Sequence, residues 1–203
     1  MLQPTRLIVL AAIQQFQPVH GYFLRRELST WRIDEWANVQ PGSIYNALAG
    51  LMKDGYISEH ATENEGNRPT RVTYTLTDAG EVELLRALRE AMWSVEEFDP
   101  KPAMIAASFM YRLAREEALS ALEFRITAIE AAISANSFQI RDTQQSSSTP
   151  DIVREIFELS SARLRGELEW TRGVADRVRA GAYQFADDTA SEGVPSASTS
   201  SAT

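Results

Sequence analysis

Cysteine is absent from all 203 residues. That excludes a disulfide framework, thiolate zinc and iron–sulfur ligation, and a cysteine nucleophile. It accords with a reducing compartment, so a cytoplasmic location is expected. Histidine is nearly absent: only His20 and His60 occur, and neither has metal-ligand or triad spacing. No glycine-rich phosphate loop is present, and Glu116-Glu117 reads as solvated helix surface. The expectation is therefore no catalytic residue, no metal, no cofactor and no enzyme. With 10 Gly and 8 Pro, the chain is too poor in both to be collagenous or of low complexity. No apolar run approaches the ~18 residues of a membrane span. The N-terminus shows neither the basic n-region nor the apolar h-region of a signal peptide.

What is present is globular in kind. Hydrophobic residues make up 44% and charged residues 24%, enough apolar side chain to build a real core. The net charge of −8 argues against a general nucleic-acid binder. Its distribution reopens the question. Residues 1–80 hold seven Lys/Arg against eight Asp/Glu, and residues 81–203 hold 13 against 20. The acidity sits in the C-terminal part, and a DNA-reading surface needs only local positive charge facing phosphates.

Element signals run in a definite order. Pro4 suits a first helical turn, Leu7 to Ile13 is densely apolar, and Gln17-Pro18 ends that helix. A second helix starts at His20-Gly21-Tyr22, with Phe23, Leu24 and Leu28 at helical spacing. Trp31 to Val39 is ambiguous, its tryptophans Trp31 and Trp36 being packing residues that close the second helix. Gln40-Pro41-Gly42-Ser43 breaks the chain and opens a third helix, with the stripe Ile44, Leu48, Leu51, Met52 and a stop at Asp54-Gly55. Tyr56–Ala61 and Arg71–Leu76 alternate with period two around a polar loop, which makes a β-hairpin. Thr77 caps a further helix carrying Val82, Leu84, Leu85, Leu88, Met92 and Val95.

Helix, helix, helix, two-stranded hairpin, helix within about 80 residues is the order of a winged helix-turn-helix. There the third helix enters the major groove and the hairpin tip touches the backbone or minor groove. Arg68 and Arg71 flank Pro69-Thr70 in that tip. Arginines there suit phosphates or a narrow groove.

The residues also resemble the PadR family of bacterial transcriptional regulators. The resemblance rests on His20-Gly21-Tyr22, then Pro41-Gly42-Ser43-Ile44-Tyr45 with Ala47-Leu48. Leu51 with Asp54-Gly55-Tyr56-Ile57 follows, then Arg71 to Leu76 and Thr77-Asp78-Ala79-Gly80. It covers about the first 80 residues. The later residues match only in kind, as the two-helix extension of longer members. Asn46 stands where the family commonly has proline, a departure suited to tuning operator choice. The resemblance implies a dimer reading double-stranded DNA at a palindromic operator, and in some members a flat aromatic effector at the dimer interface.

The fold expected is mainly α: an N-terminal winged helix with a two-stranded wing (1–80), a C-terminal helical dimerisation domain (81–182) and a disordered tail (183–203). Asp99-Pro100-Lys101-Pro102 reads as a hinge. Tyr22, Ser43, Tyr45, Asn46, Lys53, Arg68, Thr70 and Arg71 are the expected DNA-contacting residues. Ser43 lies near a helix N-terminus, where backbone N–H groups favour a phosphate. Tyr45 has the alternative of packing on the second helix, and Lys53 that of solvation. Leu119, Leu122, Ile126, Ile129 and Ile133 step by three and four, a heptad seam. That seam, with Leu85, Leu88 and Met92, is the expected homodimer interface. The competing reading buries the seam against the Ile152–Val178 helix of the same chain. Met92, Trp93 and Phe98 are the candidate site for a small aromatic effector, the alternative for Trp93 being packing without a ligand. From another class stands a winged-helix module that docks proteins and reads no operator.

Overall fold

The computed structural model describes residues 2–62, 71–145 and 149–191. The winged helix comprises α1 (Pro4–Phe16), β1 (Val19–His20), α2 (Gly21–Thr30), α3 (Ile33–Trp36), α4 (Pro41–Lys53), β2 (Ile57–Thr62), β3 (Arg71–Leu76) and α5 (Asp78–Met92). After it come α6 (Lys101–Ser108), a 3-10 turn (Met110–Arg112), α7 (Arg115–Gln145), α8 (Val153–Arg179) and α9 (Ala186–Ser191).

Helix α1 is the spine of the core. All seven residues from Leu7 to Ile13 are buried. An amphipathic surface helix cannot do that; a helix apolar on every side must be surrounded. Around it pack α2, α4, α5, α6 and β3. Helix α4 buries Ile44, Ala47, Leu48 and Leu51, so its expected apolar stripe faces α1 and α2.

The sheet is antiparallel in the order β1-β3-β2. β2 and β3 pair from Ile57 opposite Leu76 to Thr62 opposite Arg71. The wing was expected to have two strands; the structure adds the two-residue β1, with Val19 opposite Tyr74 and His20 opposite Thr73. Two residues are too short to read as a period-two pattern. At the sheet's base, Thr77 accepts the Gly80 N–H at 3.1 Å and donates its hydroxyl to the Gly55 carbonyl. Gly80 is required there: a Cβ on it would lie 1.9 Å from the Tyr56 oxygen. Gly55 turns the chain into β2 with φ +77°.

Asp99–Pro102 does not divide two cores. One continuous cluster joins the α1 residues to Ile105, Phe109, Leu122, Val174 and Phe185. Trp31 stacks between Phe16 and Phe109, at 5.9 and 6.0 Å between ring centroids. Tyr111 donates to Gln15 at 2.6 Å. Thus α6 and the turn after it belong to the winged-helix core. The ambiguous Trp31–Val39 stretch resolves into the single turn α3, closed by the Trp36 indole donating to the Trp31 carbonyl.

Helices α7 and α8 form a long antiparallel pair. Leu122 and Ile129 of the seam are fully buried, and Leu119, Ile126 and Ile133 are half-buried. Within the chain α8 packs along α7, backed by Arg172–Glu130 and Arg179–Glu123 ion pairs. Of the two readings of the seam, coverage by the same chain holds for its most buried members.

The tail from 183 is a further correction. Phe185 is buried at 2% exposure, and α9 follows it. Arg115 stacks over the Phe185 ring at 4.9 Å, donates to the Val178 and Tyr183 carbonyls, and pairs with Asp188. Asp187 accepts the Arg115 backbone N–H at 3.0 Å, occupying one of the orphan donors at the start of α7. Residues 192–203 of that expected tail lie outside the described residues.

Candidate nucleic-acid interface and effector cavity

Burial of one face of α4 leaves the opposite face to solvent. Pro41, Gly42, Tyr45, Asn46 and Ala49 are exposed there, with Lys53 at the helix C-terminus. Ser43 is half-buried, and its hydroxyl donates to the Gln40 carbonyl at 2.6 Å. That donor is spent on closing the first turn of the helix.

Tyr22, the second residue of α2, is 64% exposed beside this face. The Arg25 guanidinium lies 5.6 Å over its ring. His20 holds the start of α2 to the wing through Nδ1, 2.9 Å from the Val72 carbonyl. Tyr45 approaches Gly21 closely enough that a Cβ on Gly21 would lie 3.4 Å from the Tyr45 ring. These elements enclose a cleft of about 500 Å³ lined by His20, Tyr22, Phe23, Tyr45, Val72 and Tyr74. Burial pushes the Tyr74 hydroxyl above its ordinary pKa, helped by the nearby Glu59 and Tyr45. At neutral pH it is therefore a donor, as a contact to a phosphate oxygen needs.

The structure thus gathers Tyr22, Tyr45, Asn46 and the start of β3 on one side of the molecule. Arg25 and Tyr74 join them, although the sequence did not single them out. Tyr74 was visible only as one member of an alternating strand. Arg25 was one of two adjacent arginines, and only the structure separates them: Arg26 pairs with Glu27, whereas no ion pair involves Arg25 among the described residues. Lys53 stands at the far end of α4, similarly without an ion pair among the described residues. Arg68 and Thr70 lie outside the described residues, as does the side chain of Arg71, whose backbone opens β3.

The expected interface residues separate into two groups. Leu88, Met92, Leu122 and Ile129 are buried in the chain's own core and present no face to a second copy. Leu85 and Leu119 are half-buried against the same core. The expected effector residues do not converge either. Trp93 is 42% exposed and packs on Phe124, 5.3 Å between centroids, and Phe98 points to solvent. Met92 instead faces a cavity of about 620 Å³. Trp36, Met104, Leu122, Leu164 and Trp170 line it, with Arg125 on its polar side. Arg125 is 3% exposed and donates to the Ser94 carbonyl and to Glu167. Glu97, also in the lining, accepts from Asn136 at 3.0 Å and from Ser160. The cavity therefore spans from α3, beside the helix-turn-helix, to α7 and α8.

A winged helix whose α4 exposes tyrosine and asparagine beside the wing has the architecture of the helix-turn-helix class. Residues 9–86 match the family model "Transcriptional regulator PadR-like family". No curated protein matches the chain. Among solved structures, Bacillus subtilis PadR in complex with operator DNA is 20% identical, covering 85% of this chain and 98% of that one, with a TM-score of 0.37. The same protein in complex with p-coumaric acid is 19% identical, covering 87% and 99%, with a TM-score of 0.35. The smu.1604c structure from Streptococcus mutans UA159 is 20% identical, covering 82% and 96%, with a TM-score of 0.37. Among the described residues no helix is long and apolar enough to cross a membrane.

Proposed function

We propose that the chain is a dimeric repressor that reads a palindromic operator and is released by a small aromatic compound. One observation carries the DNA-reading part: the exposed face of α4, with Tyr45 and Asn46, lies beside Tyr22 and Arg25 and continues toward the wing. Asn46 is the candidate for base readout, since asparagine pairs bidentately with adenine N6 and N7. Tyr22, Tyr74, Arg25 and Lys53 contact the sugar–phosphate chain and set the register. The wing residues Arg68, Thr70 and Arg71 extend this footprint.

The effector reading rests on the 620 Å³ cavity, whose walls are two tryptophans, two methionines and two leucines around the buried Arg125. Flat apolar walls with few polar groups suit an aromatic ring. A ligand there bridges α3 to α7 and α8, so it can shift α4 relative to the C-terminal helices.

The test begins with selection of bound fragments from a genomic DNA pool, followed by affinity measurements on the enriched motif. The expected motif has two-fold symmetry, with half-sites about one helical turn apart. Absence of enrichment over non-specific DNA rejects operator recognition and favours a protein-docking module.

A further inference from the structure

We propose that His20 is a further DNA-binding residue: its Nε2, once protonated, donates to a backbone phosphate, so that DNA binding takes up a proton. This rests on the DNA-reading function above and adds to it a contact that depends on pH.

One ring nitrogen fixes the state of the other. Nδ1 lies 2.9 Å from the Val72 carbonyl. A carbonyl oxygen can only accept, so Nδ1 carries the hydrogen. In the neutral ring Nε2 is then the nitrogen with the lone pair. Among the described residues Nε2 has no hydrogen-bond partner. The bond to β3 therefore sets the tautomer, and the second nitrogen is left for an occupant of the cleft. His20 is half-buried and lines that cleft of about 500 Å³ with Tyr22, Tyr45 and Tyr74.

The surrounding charges select the occupant. Helix α2 brings Tyr22, with Arg25 over its ring, and Phe23, with Arg26 over its ring. Arg26 is paired with Glu27, whereas Arg25 has no ion pair among the described residues. Helix α4 brings Tyr45 and β3 brings Tyr74. From β2 come Glu59, opposite Tyr74, and His60, opposite Thr73. Both stand across β3 from β1, since the sheet order is β1-β3-β2. The His60 Nε2 is already engaged by the Ser58 and Thr75 hydroxyls, at 3.3 and 3.1 Å. The cleft around His20 thus offers phenol hydroxyls and a guanidinium, a set that suits an anionic oxygen. Tyr22 is 64% exposed beside the open face of α4, which makes a DNA phosphate the anion within reach.

The sign of the pH effect follows from this arrangement. A phosphate beside an imidazole favours the protonated ring, and imidazoles ordinarily titrate near 6.5. Affinity is therefore expected to be highest in mild acid and to fall as the pH rises.

The test measures binding of the full-length wild type, His20→Asn and His60→Gln from about pH 6 to about pH 8 at fixed low salt. The probes are the enriched motif and a random-sequence duplex, because phosphate contacts carry no sequence information. Asparagine keeps an N–H for the Val72 carbonyl and removes the titrating nitrogen. Calorimetry in two buffers of different ionisation enthalpy counts the protons taken up. The wild type and His60→Gln are expected to weaken by roughly five- to tenfold across the range on both probes, with net proton uptake. His20→Asn is expected to give a flat profile. The chain has only two histidines, so the pair of variants separates the sources. A flat wild-type profile overturns the proposal and leaves DNA reading standing. So does a slope that survives His20→Asn, including a uniform loss at every pH, which a purely structural role would give. Binding to neither probe at any pH overturns the DNA-reading function itself.

Discussion

Two residues show how a single position can govern a larger part of the molecule. At Gly80 there is no room for a side chain, because the Tyr56 carbonyl occupies the place of the Cβ. That carbonyl also accepts the Thr77 N–H, so it is not free to move aside. Gly80→Ala is expected to destabilise the domain by about 3 kcal/mol, the upper end of overpacking costs. Thermal unfolding reads this directly, and a melting temperature equal to wild type would refute the close approach. Arg125 is the second case. Its guanidinium ties the Ser94 carbonyl to Glu167 of α8 while being almost wholly buried. Arg125→Ala leaves Glu167 and the carbonyl without their donor, with an expected loss of about 3 kcal/mol in denaturant unfolding. Arg125→Met with Glu167→Leu is expected to restore most of it, since a buried ion pair replaced as a unit by apolar groups is often neutral. Equal losses in the single and double variants would contradict that account.

At the level of elements, α4 and the C-terminal segment make opposite demands on their exposed residues. Helix α4 commits one face to the core and leaves the other, with Tyr45 and Asn46, exposed. Asn46→Ala is expected to change the selected DNA motif, removing about 1–3 kcal/mol of discrimination at one base pair. An unaltered motif would reassign Asn46 to the sugar–phosphate chain. The C-terminal segment is instead a clasp. Truncation after Ala182 removes Phe185 and the Asp188–Arg115 pair, and a drop of several degrees in melting temperature is expected. Truncation after Ser191 is expected to leave it unchanged. The clasp is also expected to be acid-sensitive. The Phe185 N–H and then the Arg115 guanidinium hold the Asp188 carboxyl below its ordinary value. Its contribution is therefore complete above the unfolded value, about 3.9, and is lost as pH falls through the lowered one. Acid titration of the wild type and Asp188→Asn tests this: the two curves should converge at low pH, and parallel curves would exclude the linkage.

For the whole molecule, the excess of carboxylates matters most. Under the proposed function, a protein of net charge −8 approaches DNA against its own average field, so binding is expected to depend on a few local cations and to weaken as salt rises. Arg68→Ala or Arg25→Ala is expected to weaken binding to all sequences alike and to reduce the slope of log affinity against log salt by about 1. A slope unchanged in both variants would remove these residues from the footprint.

Local chemistry was enough to determine the winged helix from the sequence. Prolines 4, 18 and 41, the Asp54-Gly55 stop and the Thr77 cap punctuate elements through interactions within a few residues. The period of their apolar residues then distinguishes helix from strand, and the resulting order identifies the module. The face of α4 was equally legible, because the residues off an apolar stripe are those a helix exposes. What the tertiary structure alone decided is which apolar face meets which. Leu122 and Ile129 on α7 and Ile152, Ile156 and Leu159 around the start of α8 all recur at helical spacing, yet the first two are covered within the chain and the other three are exposed. Periodicity records that a face must be buried and carries no address. Phe185 was lost among small and polar neighbours for a related reason: the side chain stacked on its ring is Arg115, at the start of α7 and far away in sequence. Long-range packing also separated Trp93 and Phe98 from the cavity that Met92 lines, since a cavity exists only where separate elements fail to fill the space between them.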